Sequence, residues 1–317
     1  MTDVSIVSEF DGNGMIVERT KVKTLGSGSF GQVHLAKLPN LISGDYFFAA
    51  VKSCAYSCSD SIQKELYVLR QFQDSDKIIK CFGDVVSFEE EVTVYNLFLE
   101  YASGGTLRDL IRRYGGSIPE PVVKCYTKML LEGLRCIHSE GYVHCDLKPE
   151  NILVFPGCDS NETLKIADFG LVRRANENHA VEGGPKELKF PGTPLYMPPE
   201  TIVKRHISPA LDIWSLGCVV LQMITGKLPW DGMKDKMELA IKILFSRNPP
   251  NKISKPLSDQ GKDFLIKCFA RKSDERWTAD MLLSHPFVTA TQEKSDDCLP
   301  SMEEFEACLC DMSILVE

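Results

Sequence analysis

The stretch His144-Cys145-Asp146-Leu147-Lys148-Pro149-Glu150-Asn151 puts a carboxylate, an amine and a carboxamide within a few residues of one another. Asp146 is suited to take a proton from a substrate hydroxyl, work that contributes about 10²–10⁴-fold to a rate. Lys148 is suited to neutralise charge on a phosphoryl group in transfer. Asn151 offers an amide oxygen, a hard ligand suited to Mg²⁺. Further on comes Asp168-Phe169-Gly170, whose carboxylate would bridge the cation to phosphates. Upstream, Gly26-Ser27-Gly28-Ser29-Phe30-Gly31-Gln32-Val33 is a G-x-G-x-x-G-x-V run. It lies between two strand-like segments and not between a strand and a helix, which disfavours a dinucleotide-binding loop. A glycine turn laid over the phosphates of ATP fits better, because glycine lets backbone N–H groups come close. Ala49-Ala50-Val51-Lys52 follows at strand spacing, and Lys52 would hold the α- and β-phosphates. Glu65, further along, is placed to pair with Lys52. As a surface pair it would contribute little to stability and serve to position the amine.

These side chains need elements to aim them. From Arg19 to about Leu99 the pattern is strand-like, with strands around Val22–Leu25, Val33–Leu35, Phe47–Val51 and Val92–Leu99. One helix interrupts them, with Ile62, Leu66, Leu69 and Phe72 on a single face. After Ala102-Ser103-Gly104-Gly105 the pattern turns helical. Pro121 opens a helix at a first-turn position, and Val122, Tyr126, Met129, Leu130, Leu134 and Ile137 form its apolar stripe. A second helix, from about Asp212 to Met223, is apolar nearly all round and should be buried. The outline is α+β: a small β-rich lobe, then a larger helical lobe, with a ligand cleft at the joint. Residues 1–18 read as a loose leader.

In this order and spacing the motifs resemble the eukaryotic protein kinase set over about residues 19–288. Pro198-Pro199-Glu200 stands where that family has Ala-Pro-Glu. Asp212-Ile213-Trp214-Ser215-Leu216-Gly217 resembles its buried helix that anchors the catalytic loop. Arg276 looks like the Arg that pairs with the Glu of the former motif, here Glu200. The resemblance implies a two-lobed kinase domain over 19–288, with N-lobe 19–99, hinge 100–104 and C-lobe 105–288, followed by an acidic tail over 289–317. It implies a nucleotide site lined by Gly26, Gly28, Gly31, Val33, Ala50, Lys52, Leu99, Glu100, Ala102 and Leu153. Glu100 and Ala102 would offer backbone groups to adenine, with Leu99 as gatekeeper behind it. Asp146, Lys148, Lys52, Glu65 and Thr193 are the implied catalytic set, Thr193 hydrogen-bonding the Asp146/Lys148 pair. Asn151 and Asp168 are the implied Mg²⁺ ligands. Leu69, His144 and Phe169 are expected to pack rather than to react.

Lys148 and the run Gly192-Thr193-Pro194-Leu195-Tyr196-Met197 resemble the Ser/Thr branch, and Lys148 disfavours a tyrosine or dual-specificity kinase. The stretches Tyr95–Gly105, Val143–Asp146 and Trp277–Phe287 look like plant MEKK-like mitogen-activated protein kinase kinase kinases. The resemblance thus implies ATP and Mg²⁺ as cofactors and MAP kinase kinases as protein substrates, phosphorylated on activation-loop serines or threonines. A scaffold that binds partners without turnover is the rival reading. Such pseudokinases usually lose the strand Lys, the catalytic Asp or the metal Asp, and Lys52, Asp146, Asn151 and Asp168 are all here.

Composition sets the remaining bounds. The chain of 317 residues is 44% hydrophobic and 25% charged, which excludes wholesale disorder. No apolar run approaches a membrane span, and the first 20 residues lack a signal-peptide core. The net charge is −8, of which residues 291–317 carry −7 through eight acids and one base. The body is near neutral, so bulk charge gives no argument for nucleic acid, and the tail is expected to solvate that end. The 12 cysteines include no Cys-x-x-Cys pair, which speaks against zinc and for reduced thiols in cytoplasm or nucleus. Two departures from the family bear on control. Most regulated kinases carry Arg before the catalytic Asp, to meet a phosphorylated loop residue, and here Cys145 stands there. Residues 171–192 contain no Ser, Thr or Tyr. The loop is therefore expected to need no phosphate, with Gly183-Gly184-Pro185 as its tip.

Overall fold

The computed structural model describes residues 6–10, 16–28, 31–39, 45–157, 162–175, 192–204, 206–230, 233, 235–246, 250 and 257–289. The acidic tail beyond 289 and the loop tip Gly183-Gly184-Pro185 lie outside the described residues.

The small lobe is an antiparallel barrel in the order β1-β2-β3-β4-β6-β5. Its strands are β1 (Ile6–Phe10), β2 (Ile16–Gly28), β3 (Gly31–Pro39), β4 (Tyr46–Ala55), β5 (Cys81–Glu89) and β6 (Val92–Glu100). The reading of 1–18 as a loose leader needs correction, because β1 pairs with β2 from Ile6↔Thr20 to Phe10↔Ile16 and meets β5 at Phe10↔Val86. Ile6-Val7 and Ile16-Val17 are β-branched runs on either side of Gly12-Asn13-Gly14, a hairpin signal. The sequence pattern predicts no strand between Phe72 and Val92, and β5 forms there. Alternation along β3 and β4 puts Ala36, Leu38, Ala49 and Val51 inside the barrel with Phe98. Between β4 and β5 runs helix α1 (Asp60–Leu69), extended to Phe72 by a 3-10 turn. Its expected face is buried: Ile62, Leu66, Leu69 and Phe72 are at most 7% exposed.

The large lobe follows with α2 (Leu107–Arg113), α3 (Glu120–Ser139), β7 (Tyr142–Val143), β8 (Ile152–Phe155), β9 (Thr163–Ile166) and β10 (Arg173–Arg174). Helices α4 (Pro199–Lys204), α5 (Pro209–Thr225), α6 (Lys236–Phe245), α7 (Asp259–Cys268), α8 (Ala279–Leu283) and α9 (Pro286–Thr289) complete it. Thr106 caps α2 through a reciprocal bond with Asp109, and Pro121 sits in the first turn of α3, as its spacing predicts. Every residue of α5 from Leu211 to Ile224 is buried. That all-round apolar character fits a helix packed on several sides, here by α3 and α7. The single charge on α5, Asp212, is the exception that matters to the site.

Candidate active site

The site is assembled where the barrel meets β7, β8 and β9. Three antiparallel strand pairs fix its ceiling and floor. In the ceiling, Val33 lies opposite Lys52 and Leu35 opposite Ala50, while Ala50 lies opposite Leu99 on β6. In the floor, Leu153 faces Lys165 across β8–β9 and bridges to Thr106. The glycine run closes the β2–β3 hairpin at Gly28↔Gly31. Gly26 has open space where a side chain would be, which leaves room for an approaching ligand. Gly31 is required for a different reason. Its φ is +132°, and a Cβ there would lie 2.2 Å from the carbonyl oxygen of Ser53, the residue after Lys52.

Lys52 Nζ donates to Glu65 Oε2 at 2.7 Å and to Asp168 Oδ1 at 2.8 Å. The expectation of a surface-like Lys52–Glu65 pair is wrong: Lys52 is 8% exposed and Glu65 fully buried. Glu65 lies on the same face of α1 as the apolar stripe, and the packing that docks the helix encloses its carboxylate. Its second oxygen accepts from the Phe169 amide at 3.0 Å. Burial lifts the Glu65 carboxyl above the usual carboxylate range, partly offset by Lys52. Burial pulls Lys52 down, but Glu65 and Asp168 outweigh it and push its pKa up to about 12. Burial likewise opposes ionisation of Asp168, yet Lys52 holds that carboxyl below its ordinary value. Asp168 has φ +64° in the left-handed region, a strained setting for a residue with a side chain.

Asp146 is buried, and its carboxylate accepts four hydrogen bonds. Thr193 gives two to Oδ1, from its amide at 2.8 Å and its hydroxyl at 2.7 Å. Lys148 Nζ at 2.6 Å and Asn151 Nδ2 at 3.0 Å donate to Oδ2. A carboxylate offers about four lone-pair directions, so this one is fixed in orientation. Lys148 also donates to Thr193 Oγ1 at 2.9 Å. With its amide N–H groups turned to Asp146, Asn151 keeps its oxygen for another ligand. Hard oxygens from Asn151 and Asp168 suit Mg²⁺, which takes one or two protein oxygens and completes its shell with phosphates and water. No cluster of three or more His, Cys, Asp or Glu side chains able to hold a metal occurs among the described residues.

The loop carrying Asp146 hangs from α5. Asp212 accepts from the amides of His144 at 2.8 Å and Cys145 at 3.0 Å, and contacts His138 Nε2 at 2.9 Å. Cys145 is thereby held at φ +69°. Its side chain packs with Val143, Ile207 and Leu211, and burial, with Asp212 beside it, pushes the thiol's pKa up. His144 is packing, as expected: its ring meets Phe169 edge-on at 5.1 Å. Its Nε2 donates to Ala167 O at 3.0 Å while Nδ1 accepts from the Asp146 amide at 3.3 Å. Arg276 Nη1 reaches Glu200 at 2.7 Å.

Ties between residues far apart in the chain have no signal in the sequence. Lys165 Nζ lies 2.7 Å from both carboxylate oxygens of Glu100, linking the hinge to the strand that leads into Asp168. The family resemblance implies only a backbone role for Glu100, and no spacing signal joins residues so far apart. The same separation hid contacts of Ser61, Lys64 and Gln71. Asp212 did have a signal, as the lone charge in an apolar helix.

A glycine hairpin above, an amine–carboxylate chain behind and an oriented carboxylate below define an enzyme that transfers phosphoryl groups from a nucleotide. The protein kinase domain model matches residues 19–288, and the chain belongs to the protein kinase family. That family uses ATP and, in general, depends on Mg²⁺. Among curated relatives, mitogen-activated protein kinase kinase kinase 20 of Arabidopsis thaliana is 40% identical over 282 residues, 87% of this chain and 80% of that protein. Kinase kinase kinase 18 from the same plant is 37% identical over 279 residues, 85% of this chain and 77% of that protein. Number 17 is 34% identical over 290 residues, 90% of this chain and 73% of that protein. No helix among the described residues is long and apolar enough to cross a membrane.

Proposed function

We propose that this chain is a Ser/Thr protein kinase acting as a MAP kinase kinase kinase, with MAP kinase kinases as its substrates. The observation that carries the chemistry is the Asp146 carboxylate, held by Thr193, Lys148 and Asn151. Asp146 accepts the proton of a serine or threonine hydroxyl. The hydroxyl oxygen forms a bond to the γ-phosphorus of ATP, the bond to the β–γ bridging oxygen breaks, and ADP leaves with that electron pair. Lys148 neutralises charge on the group in transfer, and Lys52 orients the α- and β-phosphates. Asn151 and Asp168 would hold Mg²⁺, which when bound would offset phosphate charge. Gly26, Gly28, Gly31, Val33, Ala50, Leu99, Glu100, Ala102 and Leu153 form the nucleotide pocket. The substrate class rests on the names of the relatives and on the stretches Tyr95–Gly105, Val143–Asp146 and Trp277–Phe287.

The test is purified protein with Mg-ATP and a panel of MAP kinase kinases. Phosphate should appear on their activation-loop serines or threonines. Asp168→Asn and Asp146→Asn should each lower the rate at least about 100-fold. Transfer at the wild-type rate by either variant would overturn the assignment. Transfer to other proteins but to no MAP kinase kinase would overturn the substrate class alone.

A further inference from the structure

Helix α1 does more than present Glu65. Ser61, Lys64 and Glu65 stand one turn apart or adjacent, on a shared side of the helix. Together they take up backbone groups of the residues that follow Asp168. Glu65 accepts from the Phe169 amide at 3.0 Å. Ser61 Oγ donates to Gly170 O at 3.3 Å, and Lys64 Nζ donates to Val172 O at 2.6 Å. Beyond the helix, Gln71 Nε2 donates at 2.9 Å to the Tyr142 hydroxyl, which Arg174 Nη2 also reaches at 3.0 Å. The chain then pairs as β10 with β7, and the Ala175 amide donates to Gly141 O at 2.9 Å.

These ties lie where the sequence provides no phosphate acceptor. Cys145 is not itself a cation: it sits among aliphatic side chains, with Arg173 and Lys64 near enough to pull its thiol pKa down against the effect of burial. At the far end of the segment the contact is again direct: a Cβ on Gly192 would lie 2.3 Å from Cys145 O, and Thr193 bonds Asp146.

We infer that Lys64 and Ser61 are positioning residues. Their side-chain bonds to backbone carbonyls hold the segment after Asp168 against α1, so that helix and segment set each other's place without a phosphate. This rests on the kinase reading above. It goes beyond it by assigning the ordering of the segment to residues outside the motif set.

The test uses the full chain with Lys64→Met, Lys64→Arg and Ser61→Ala. Lys64→Met should lower kcat about tenfold to 100-fold, the range for a hydrogen bond from a charged group, with the KM for ATP changed less than about twofold. Lys64→Arg, which keeps a cationic donor, should recover most of the rate, and Ser61→Ala should cost about two- to tenfold. Amide exchange over residues 170–174 should quicken about tenfold in Lys64→Met and return in Lys64→Arg. Unchanged kcat and exchange in Lys64→Met would overturn the inference, as would equal losses in Met and Arg variants. If the wild-type chain transfers no phosphate at all, the kinase reading fails instead. The exchange measurement needs no turnover and still decides the role of Lys64.

Discussion

At the scale of single residues, Lys52 and Asp168 depend on each other's charge, and this gives a pH signature. Asp168 has a depressed carboxyl pKa in the folded chain. Its bond to Lys52 therefore contributes stability that is whole above the ordinary Asp value near 3.8 and is lost as pH falls through the depressed one. Lys52 is raised from 10.5 to about 12. Its contribution is whole below 10.5 and is lost as pH rises through about 12. Between these limits the pair is insensitive to pH. Relative to wild type, Lys52→Met should lose melting temperature as pH rises, because Glu65 then ionises in the core without its counter-charge, and the two curves should converge as pH falls and first Glu65, then Asp168, takes up a proton. Curves that stay parallel from neutral pH down to pH 3 would mean that Lys52 holds neither carboxylate in solution.

At the scale of elements, α1 docks through a carboxylate as much as through its apolar stripe. Breaking a buried pair by removing one partner costs about 3–5 kcal/mol, because the other charge is left uncompensated. Glu65→Gln keeps the shape and retains an acceptor for the Phe169 amide, so it should cost less. The expected outcome is a loss of kcat of at least about tenfold and a melting temperature lowered by a few degrees. Equal kcat in Glu65→Gln and wild type would show that the helix seats itself without the charge. This depth could not be read from the sequence, since a spacing of 13 says that two groups can meet but not what closes over them. What could be read were features with a local cause: Pro121 opening α3, the all-round apolar run of α5, and the glycine hairpin between strands. The Asp146 cluster was legible through Lys148 and Asn151, which are near in sequence, and through Thr193 by resemblance. The β1 hairpin has only the short signal Gly12-Asn13-Gly14, and Glu100–Lys165 has none, because one partner lies at the hinge and the other on a strand of the large lobe.

For the whole molecule, the question is what controls a site already assembled. Cys145 lies in an apolar cluster, and residues 171–192 contain no hydroxyl side chain. Phosphatase treatment of the purified chain should therefore leave its initial rate unchanged within about twofold, a margin of only about 0.4 kcal/mol. Collapse of the rate, with recovery on rephosphorylation within 171–196, would contradict this. The tail carries −7 of the net charge of −8, and the matched family segment ends at residue 288. Deleting residues 291–317 should leave both melting temperature and basal rate nearly unchanged, measured by calorimetry and by transfer to a generic protein substrate. A large drop in melting temperature would mean that the tail packs on the body.

The suspension of the catalytic loop from Asp212 also has a consequence for biosynthesis. A chain leaves the ribosome amino terminus first, so the barrel, the glycine hairpin and Asp146 itself emerge well ahead of α5. Until Asp212 follows, nothing holds the amides of His144 and Cys145. The Glu200–Arg276 bond waits longer still. A product terminated between β10 and α5 would carry Lys52, Asp146, Asn151 and Asp168, yet lack the carboxylate from which the loop is suspended. The amides of His144 and Cys145 thus gain their acceptor only once the chain has been made as far as α5.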